Sequence, residues 1–535
     1  MNEKQPMYIL PENVSRTLGR DAQRNNILAA KVIADIVKTT LGPKGMDKML
    51  VDSSGNVIVT NDGVTILEEM EIEHPAAKML VEIAKTQEAE VGDGTTTVAL
   101  LAGKLLEHGE RLLDKNIHPT VIVKGYKLAA EKSIQILNDI SMPLSDRFIL
   151  KKIAETAMTG KGAEGNKEIF SEIVVNAVEQ IAEGKNIDIE DIKIEKIRGD
   201  SVGKSSLIQG IVLNKEKANP DMPSKIQNAR ILLIDIPLEL KNPETETRIS
   251  VSTPEQLESF IESEERYLKN MTEKIIASGV NVIFCQKGID DVAQYYLAKA
   301  GIFACRRITE NDMKKLARAT GGRVISNLSD IEKNMLGNAD FIEEVKNGED
   351  FMTYVSGCKN PRTVTIVIRG STSHIVDEIE RAVKDGLGDV VAAIKNGKVV
   401  AGGGAVEIEV SRRLRIFAKS LSGREQLAVE EFANALESVP EALAENAGLD
   451  PIDILTELKK RHESGLYNHG LNLFKNNIED TFTAGIIEPL KVKTQAINSA
   501  NEVAMMILRI DDVLISSAGK NKENNLGNTN YRDMD

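Results

Sequence analysis

The chain has 535 residues, 41% hydrophobic and 28% charged, which is too apolar for a disordered protein and long enough for about three or four domains. Asp and Glu number 81 against 67 Lys and Arg, and the net charge of −14 disfavours a nucleic-acid backbone as the main partner. Aromatic residues make up only 4%, with no Trp, so the core must be aliphatic and platforms for stacked bases are not expected.

The N-terminal MNEKQPMYILPENVS has no apolar stretch or small-residue cleavage site, so no secretory signal is expected. DAQRNNILAAKVIADIVKTTLG (21–42) reads as an amphipathic helix with Leu28, Val32 and Ile36 on one stripe, joined by Ile33 and Val37. TTLGPKGMDKML (39–50) then ends that helix in a Gly-Pro turn, and TNDGVTIL (60–67) places a tight turn between β-like runs. GDGTTT (92–97) opens a second amphipathic helix, in which Val98, Leu101, Leu105 and Leu112 form the stripe. Its glycines allow close approach of an anion and its threonines sit at a helix N-terminus, where a phosphate is favoured. Asp93 could hold a magnesium ion bridging phosphate oxygens. A Thr-rich N-cap without ligand fits the same residues equally well.

Two glycine motifs are decoys. GKGAEG (160–165) matches GxGxxG, but FILKKIAETAM (148–158) before it reads as helix, whereas a dinucleotide fingerprint follows a strand. GDSVGKS (199–205) is one residue short of a phosphate-binding loop, because Arg198 stands where the first Gly belongs.

The middle of the chain alternates β-rich runs with helices. The runs are ARILLIDIPL (229–238), VNVIFCQ (280–286), IFACRRI (302–308) and TVTIVIRG (363–370), and the helices include 290–300 and 310–320. This predicts an α/β unit between two helical segments. ILLIDIPLEL (231–240) is the most apolar run, but Asp235 and Pro237 interrupt it and it falls far below the ~20 residues of a membrane span. Thr253-Pro254-Glu255-Gln256 is a capping-box start for a helix carrying Leu257, Phe260, Ile261, Leu268, Met271 and Ile275 on one face. That helix either covers its own core or projects toward a partner. VVAGGGAVEIEVSRRL (399–414) sets three glycines before a helix, which suits a sugar or base, and TQAINSANEVAMMILRI (494–510) carries a stripe of small apolar residues. The Asn-rich end (519–535) reads as a flexible tail. Cys285, Cys305 and Cys358 make no CxxC pair, and the six His are scattered, so reduced buried thiols in a cytoplasmic protein are expected and a zinc site or His-based triad is not.

TTLGPKGMDKMLVD (39–52), NDGVTIL (61–67), GDGTTTVALLAG (92–103), VVAGGGAVEIE (399–409) and ILRIDD (507–512) resemble the group II chaperonins, in their archaeal thermosome branch. The resemblance runs from about residue 8 to about 518, in the family's order. It implies a multidomain α+β subunit. A helical equatorial ATPase domain would take residues 1–146 and 403–520, a small α/β intermediate hinge domain 147–216 and 370–402, and an α/β apical substrate-binding domain 217–369. A helical protrusion over 241–270 would serve as a built-in lid, and 521–535 would be the tail. Family members often end in Gly-Gly-Met repeats, from which the Asn-rich end departs.

Carried over residue by residue, Leu41, Gly42 and Pro43 match the phosphate-approaching turn, Asp93 the magnesium ligand, and Gly94, Thr95, Thr96 and Thr97 the phosphate cradle. Lys161 matches a loop that senses the γ-phosphate, Gly402 and Gly403 an adenosine contact, and Glu488 a ribose contact. Asp385 matches the carboxylate that orients the attacking water, with Asp62 across the site. The function implied is an ATP- and Mg2+-dependent chaperone enclosing unfolded proteins in two stacked rings of eight or nine subunits. It would use no separate co-chaperonin lid, no nucleic acid and no membrane. A ring-forming scaffold with residual ATPase activity is the alternative, and a monomeric metabolic ATPase or kinase lacks a standard nucleotide motif.

Overall fold

The computed structural model describes residues 14–51, 53–240, 253–347, 350–359 and 361–516. Its largest core joins the two ends of the chain. Helices Gly19–Lys38, Pro75–Val91, Thr95–Asp114 and Pro119–Ile140 from the N-terminal third pack with Ala405–Ala418, Glu425–Leu436 and Leu490–Leu508. Small residues set the closest crossings. A Cβ on Gly103 would fall 2.3 Å from the Ala34 Cβ, and one on Gly125 would fall 2.4 Å from that of Ala428. With few aromatics to fill space, this core closes by backbone approach. Tyr126 and Phe432 meet edge-on at 5.5 Å, and the Tyr126 hydroxyl donates to the Leu105 carbonyl at 2.7 Å.

The first helix buries Ile33 and Val37 and packs Ile36 against the core as its spacing suggests, but it turns Leu28 and Val32 outward. Leu28 and Val32 are 59% and 49% exposed, while Ile27, Ala30, Ile33, Ala34 and Val37 are buried. Ala30 and Ala34 are the residues that admit the Thr95–Asp114 helix, so the alanine face wins over the bulkier stripe. The other two stripes lie in the core as expected. The NDG turn also differs: strand Val57–Thr60 runs straight into helix Gly63–Glu69, and Asp62 is its N-cap rather than a hairpin residue.

A second core packs helices Arg147–Met158, Lys167–Ile181 and Ser373–Asn396 against a three-stranded sheet. In that sheet Val364–Gly370 lies central, parallel to Ile192–Arg198 and antiparallel to Ser206–Ile208. The third body is a seven-stranded mixed sheet ordered Phe303–Cys305, Val282–Cys285, Lys225–Ile234, Gly337–Asn347, Asp350–Ser356, Gly210–Leu213, with Val324–Ile325 also on Lys225–Ile234. Alternate residues of its strands feed two cores. Phe284 points to the face of helix Glu310–Thr320, and Ile283 and Cys285 to the face of helices Pro254–Ala277 and Asp291–Lys299.

These pairings move two borders. The strand 364–370 belongs to the sheet of the second body and 210–213 to that of the third, so division at 216/217 and 369/370 splits elements from their partners. The β-rich run 363–370 therefore does not join the middle α/β sheet.

Thr253 accepts from the Gln256 N–H at 3.3 Å and starts helix Pro254–Ala277 with Pro at its first position. Leu268, Thr272 and Ile275 are buried and anchor the second half of the helix, whereas Phe260 in its first half is exposed. Residues 241–252, the side chains of Leu257 and Ile261, and the tail lie outside the described residues. The three cysteines are free and buried, and burial pushes the Cys285 thiol up to about 11 and those of Cys305 and Cys358 up to about 12. Among the described residues no helix is long and apolar enough to cross a membrane. GDSVGKS leads into strand Ser206–Ile208 rather than a helix, which removes it as a phosphate loop.

Candidate active site

A cleft of about 440 Å³ lies where the first and second bodies meet. Several backbone ends open on it. The Gly19–Lys38 helix stops at Thr39, and the Asn446 side chain holds the next turn by donating to the Lys38 and Leu41 carbonyls at 3.0 and 2.9 Å. Gly42 in that turn has φ +78°, and a Cβ there would strike Leu443 at 2.4 Å. Asp62 caps its helix through Oδ2, accepting from the Thr65 N–H at 2.9 Å and the Thr65 hydroxyl at 2.6 Å.

Two of the helices that start at the cleft share a feature. Thr95–Asp114 is preceded by Gly94 at φ 84°, Ala405–Ala418 by Gly404 at φ 78°, and neither has a side-chain cap. Their first-turn N–H groups and positive dipole ends are thus left to whatever enters the cleft. Asp93 sits between left-handed Gly92 and Gly94, and its carbonyl accepts from the Gln87 amide at 2.9 Å. Gly403 is pressed against the Leu471 backbone, with its carbonyl accepting from the Leu471 N–H at 2.8 Å.

Lys161 closes the cleft from the second body. Its Nζ lies 2.5 Å from Asp385 Oδ2 and 3.4 Å from Asp93 Oδ1. Next to it, Asn61 donates to the Gly160 carbonyl at 2.7 Å, and a Cβ on Gly160 would sit 2.5 Å from Pro43 Cα. At the other end Glu488, paired across from Val400, binds Lys493 at 2.6 Å, and Lys493 binds Glu407 at 2.9 Å.

Leu41, Gly42, Pro43, Asp62, Asp93, Gly94, Thr95, Thr96, Thr97, Lys161, Gly403 and Glu488 all line this cleft. Two residues named from sequence do not. Asp385 reaches it through Lys161. Gly402 backs it, where a Cβ would lie 2.7 Å from Glu488 Oε1. Sequence reasoning missed Gln87, Lys493 and Asp389, and carried Asn61 and Gly404 only inside the NDG and GGG motifs. Of the three missed, Asp389 stands four residues after Asp385 on one helix, which is a local signal.

The model of the TCP-1/cpn60 chaperonin family matches residues 33–518. The chain is a member of that family. It is 57% identical over 525 residues to the thermosome subunit beta of Archaeoglobus fulgidus, which covers 97% of this chain and 96% of that protein. It is similar at 56% identity to a thermosome subunit of Methanopyrus kandleri, over 95% of this chain and 94% of that one. The Archaeoglobus fulgidus thermosome subunit alpha matches at 54%, over 97% and 96%.

Charges of both signs crowd the chaperonin cleft. Burial raises the pKa of Asp385 well above its ordinary value, with Asp93 and Asp62 adding to the effect and Lys161 opposing it. Burial also raises Asp389 strongly, reinforced by Asp93 and Glu488. On Lys161 burial works against the charge, but Asp385 and Asp93 outweigh it and the pKa goes up. The same contest raises Lys493, held between Glu407 and Glu488.

Proposed function

We propose that the cleft binds ATP with magnesium and hydrolyses it, and that this drives a ring-forming chaperone for unfolded proteins. The observation carrying the reading is the convergence of two glycine-capped, side-chain-free helix N-termini on a cleft closed by Lys161 between Asp93 and Asp385. Polyphosphate suits such N-termini because backbone N–H groups and helix dipoles both favour it. Magnesium fits the donor set: among the described residues no three acidic, His or Cys side chains converge as a cage, which suits a cation that arrives on phosphates and takes one or two carboxylates. Asp93 would hold it, and when bound it supplies charge neutralisation on the phosphates.

The chain's own residues do the rest. Thr95, Thr96 and Thr97 receive phosphate oxygens at the helix start, and the Leu41–Gly42–Pro43 turn lets backbone approach them. Gly402, Gly403 and Glu488 take the nucleoside end. Lys161, which here neutralises two carboxylates, offers its ammonium to the terminal phosphate. That frees Asp385 to accept a hydrogen bond from a water and aim it in line, with Asp62 facing it from the other side. Lys161 and Asp385 come from the second body and Asp93 and Asp62 from the first, so turnover requires the two bodies to close on each other.

The equatorial, intermediate and apical division then follows the three cores, with strand 364–370 assigned to the intermediate domain and 210–213 to the apical one. The first half of helix Pro254–Ala277, where Phe260 is exposed, belongs to a lid that closes a cavity formed by stacked rings of eight or nine cytoplasmic subunits. In the full-length protein Asp385→Ala is expected to bind ATP within a fewfold of the wild type and to lose turnover at least 100-fold, measured by calorimetry and phosphate release. Near-normal hydrolysis would overturn the assignment.

A further inference from the structure

Asp389 lies one turn beyond Asp385 on the Ser373–Asn396 helix, so both carboxylates share a face. It is 2% exposed, and its Oδ1 has no hydrogen-bond partner among the described residues. The charged groups that act on it are those of the cleft: Asp93, Glu488, Lys161 and Asp385. Its place is fixed by a backbone crossing. A Cβ on Gly388 would meet both the Gly92 Cα and the Val91 carbonyl at 2.7 Å, so the helix passes directly behind the turn that presents Asp93. Val91, Ala392 and Val492 seal the apolar side of that crossing. A buried carboxylate with an empty acceptor is costly unless a cation or strong donor arrives. Here Lys161 is already committed to Asp385 and Asp93.

We propose that Asp389 is a positioning residue for the nucleotide's magnesium, accepting a hydrogen bond from a water molecule on the ion that Asp93 holds. This rests on the reading of Asp93 given above. Magnesium retains several waters in nucleotide sites, and those waters need acceptors. Asp93 lines the cleft and Asp389 does not, which puts Asp389 outside the direct ligands. Carboxylates in this outer position typically change metal affinity about 10- to 100-fold.

The test uses the full-length assembled protein as wild type, Asp389→Asn, Asp389→Ala and Asp93→Ala. Binding of a non-hydrolysable ATP analogue is measured in EDTA and then across a magnesium titration, with manganese binding followed in parallel by electron paramagnetic resonance. For both Asp389 variants the affinity in EDTA should stay within twofold of the wild type. The magnesium midpoint should rise about tenfold, and manganese should bind correspondingly more weakly. The nucleotide-free melting temperature should be unchanged or higher, since a buried unpaired carboxylate has been removed. An unmoved magnesium midpoint, or equal losses with and without magnesium, overturns the proposal. Asp93→Ala reports on the underlying reading separately: if it keeps the full magnesium enhancement, the assignment of Asp93 fails whatever Asp389 does.

Discussion

Lys161 reaches from one body of the molecule to carboxylates on two, and the site depends on that bridge. Asp93 and Thr95–Thr97 were legible because a glycine-bounded helix start declares itself locally. Asp385 was legible only through resemblance, since on its helix it reads as one of many solvated carboxylates. Gln87, Lys493 and Asp389 were not: Gln87 also reaches the Val492 carbonyl 405 residues away, Lys493 is tied to Glu407 on another helix, and the burial of Asp389 is invisible in a charged stretch. Glu409 is a further case. It is fully buried, and it accepts from Arg412 at 2.7 Å, Arg413 at 2.6 Å and His462 at 3.1 Å. Burial alone would raise its pKa, but hydrogen bonds from His462, Arg412 and Arg413 bring it down to about 2. A folded value below the unfolded one means stability that is present above about pH 4.5 and lost as pH falls toward 2. Glu409→Gln should therefore lose about 3 kcal/mol at neutral pH. The gap in thermal midpoint between variant and wild type should narrow steadily from pH 5 to pH 3. A constant gap would assign the loss to packing instead.

At the scale of elements, helices were legible where apolar residues repeat and caps are local, and less so where small residues decide the face. The Gly19–Lys38 helix shows why. Leucine spacing favoured Leu28 and Val32, but only Ala30 and Ala34 leave room for the neighbouring helix at Gly103. Gly103→Leu should overpack that crossing and cost about 1–3 kcal/mol, read as a lower melting temperature. Ile33→Ala should cost about 2–4 kcal/mol through lost burial. The strand expected at 363–370 is present, but it joins a different sheet for a related reason. Its β character was plain, but the sheet it joins is set by pairing with Ile192–Arg198, far away in sequence. The Gly388–Gly92 crossing allows a functional prediction. Gly388→Val must push the Ser373–Asn396 helix away from the Asp93 turn, so turnover should fall at least tenfold while ATP affinity changes much less. Parallel losses of both would show that the crossing does not serve closure.

For the whole molecule, length gave a fair number of bodies but could not draw them, because two of the three bodies are built from separated segments. The chain leaves the first body, makes part of the second, forms the third, and returns in reverse. That path places the cleft at a joint, where Asp385 and Asp93 belong to different cores yet share Lys161. Under the proposed reading, charge at the joint would couple nucleotide binding to body closure.

The most direct measurement is refolding of a chemically denatured model enzyme by the assembled protein, with magnesium-ATP, without nucleotide, and with Asp385→Ala. The recovered activity should rise with magnesium-ATP for the wild type and remain at the nucleotide-free level for Asp385→Ala, which still binds ATP. Equal recovery without nucleotide, or full recovery with Asp385→Ala, would contradict a chaperone driven by hydrolysis in this cleft.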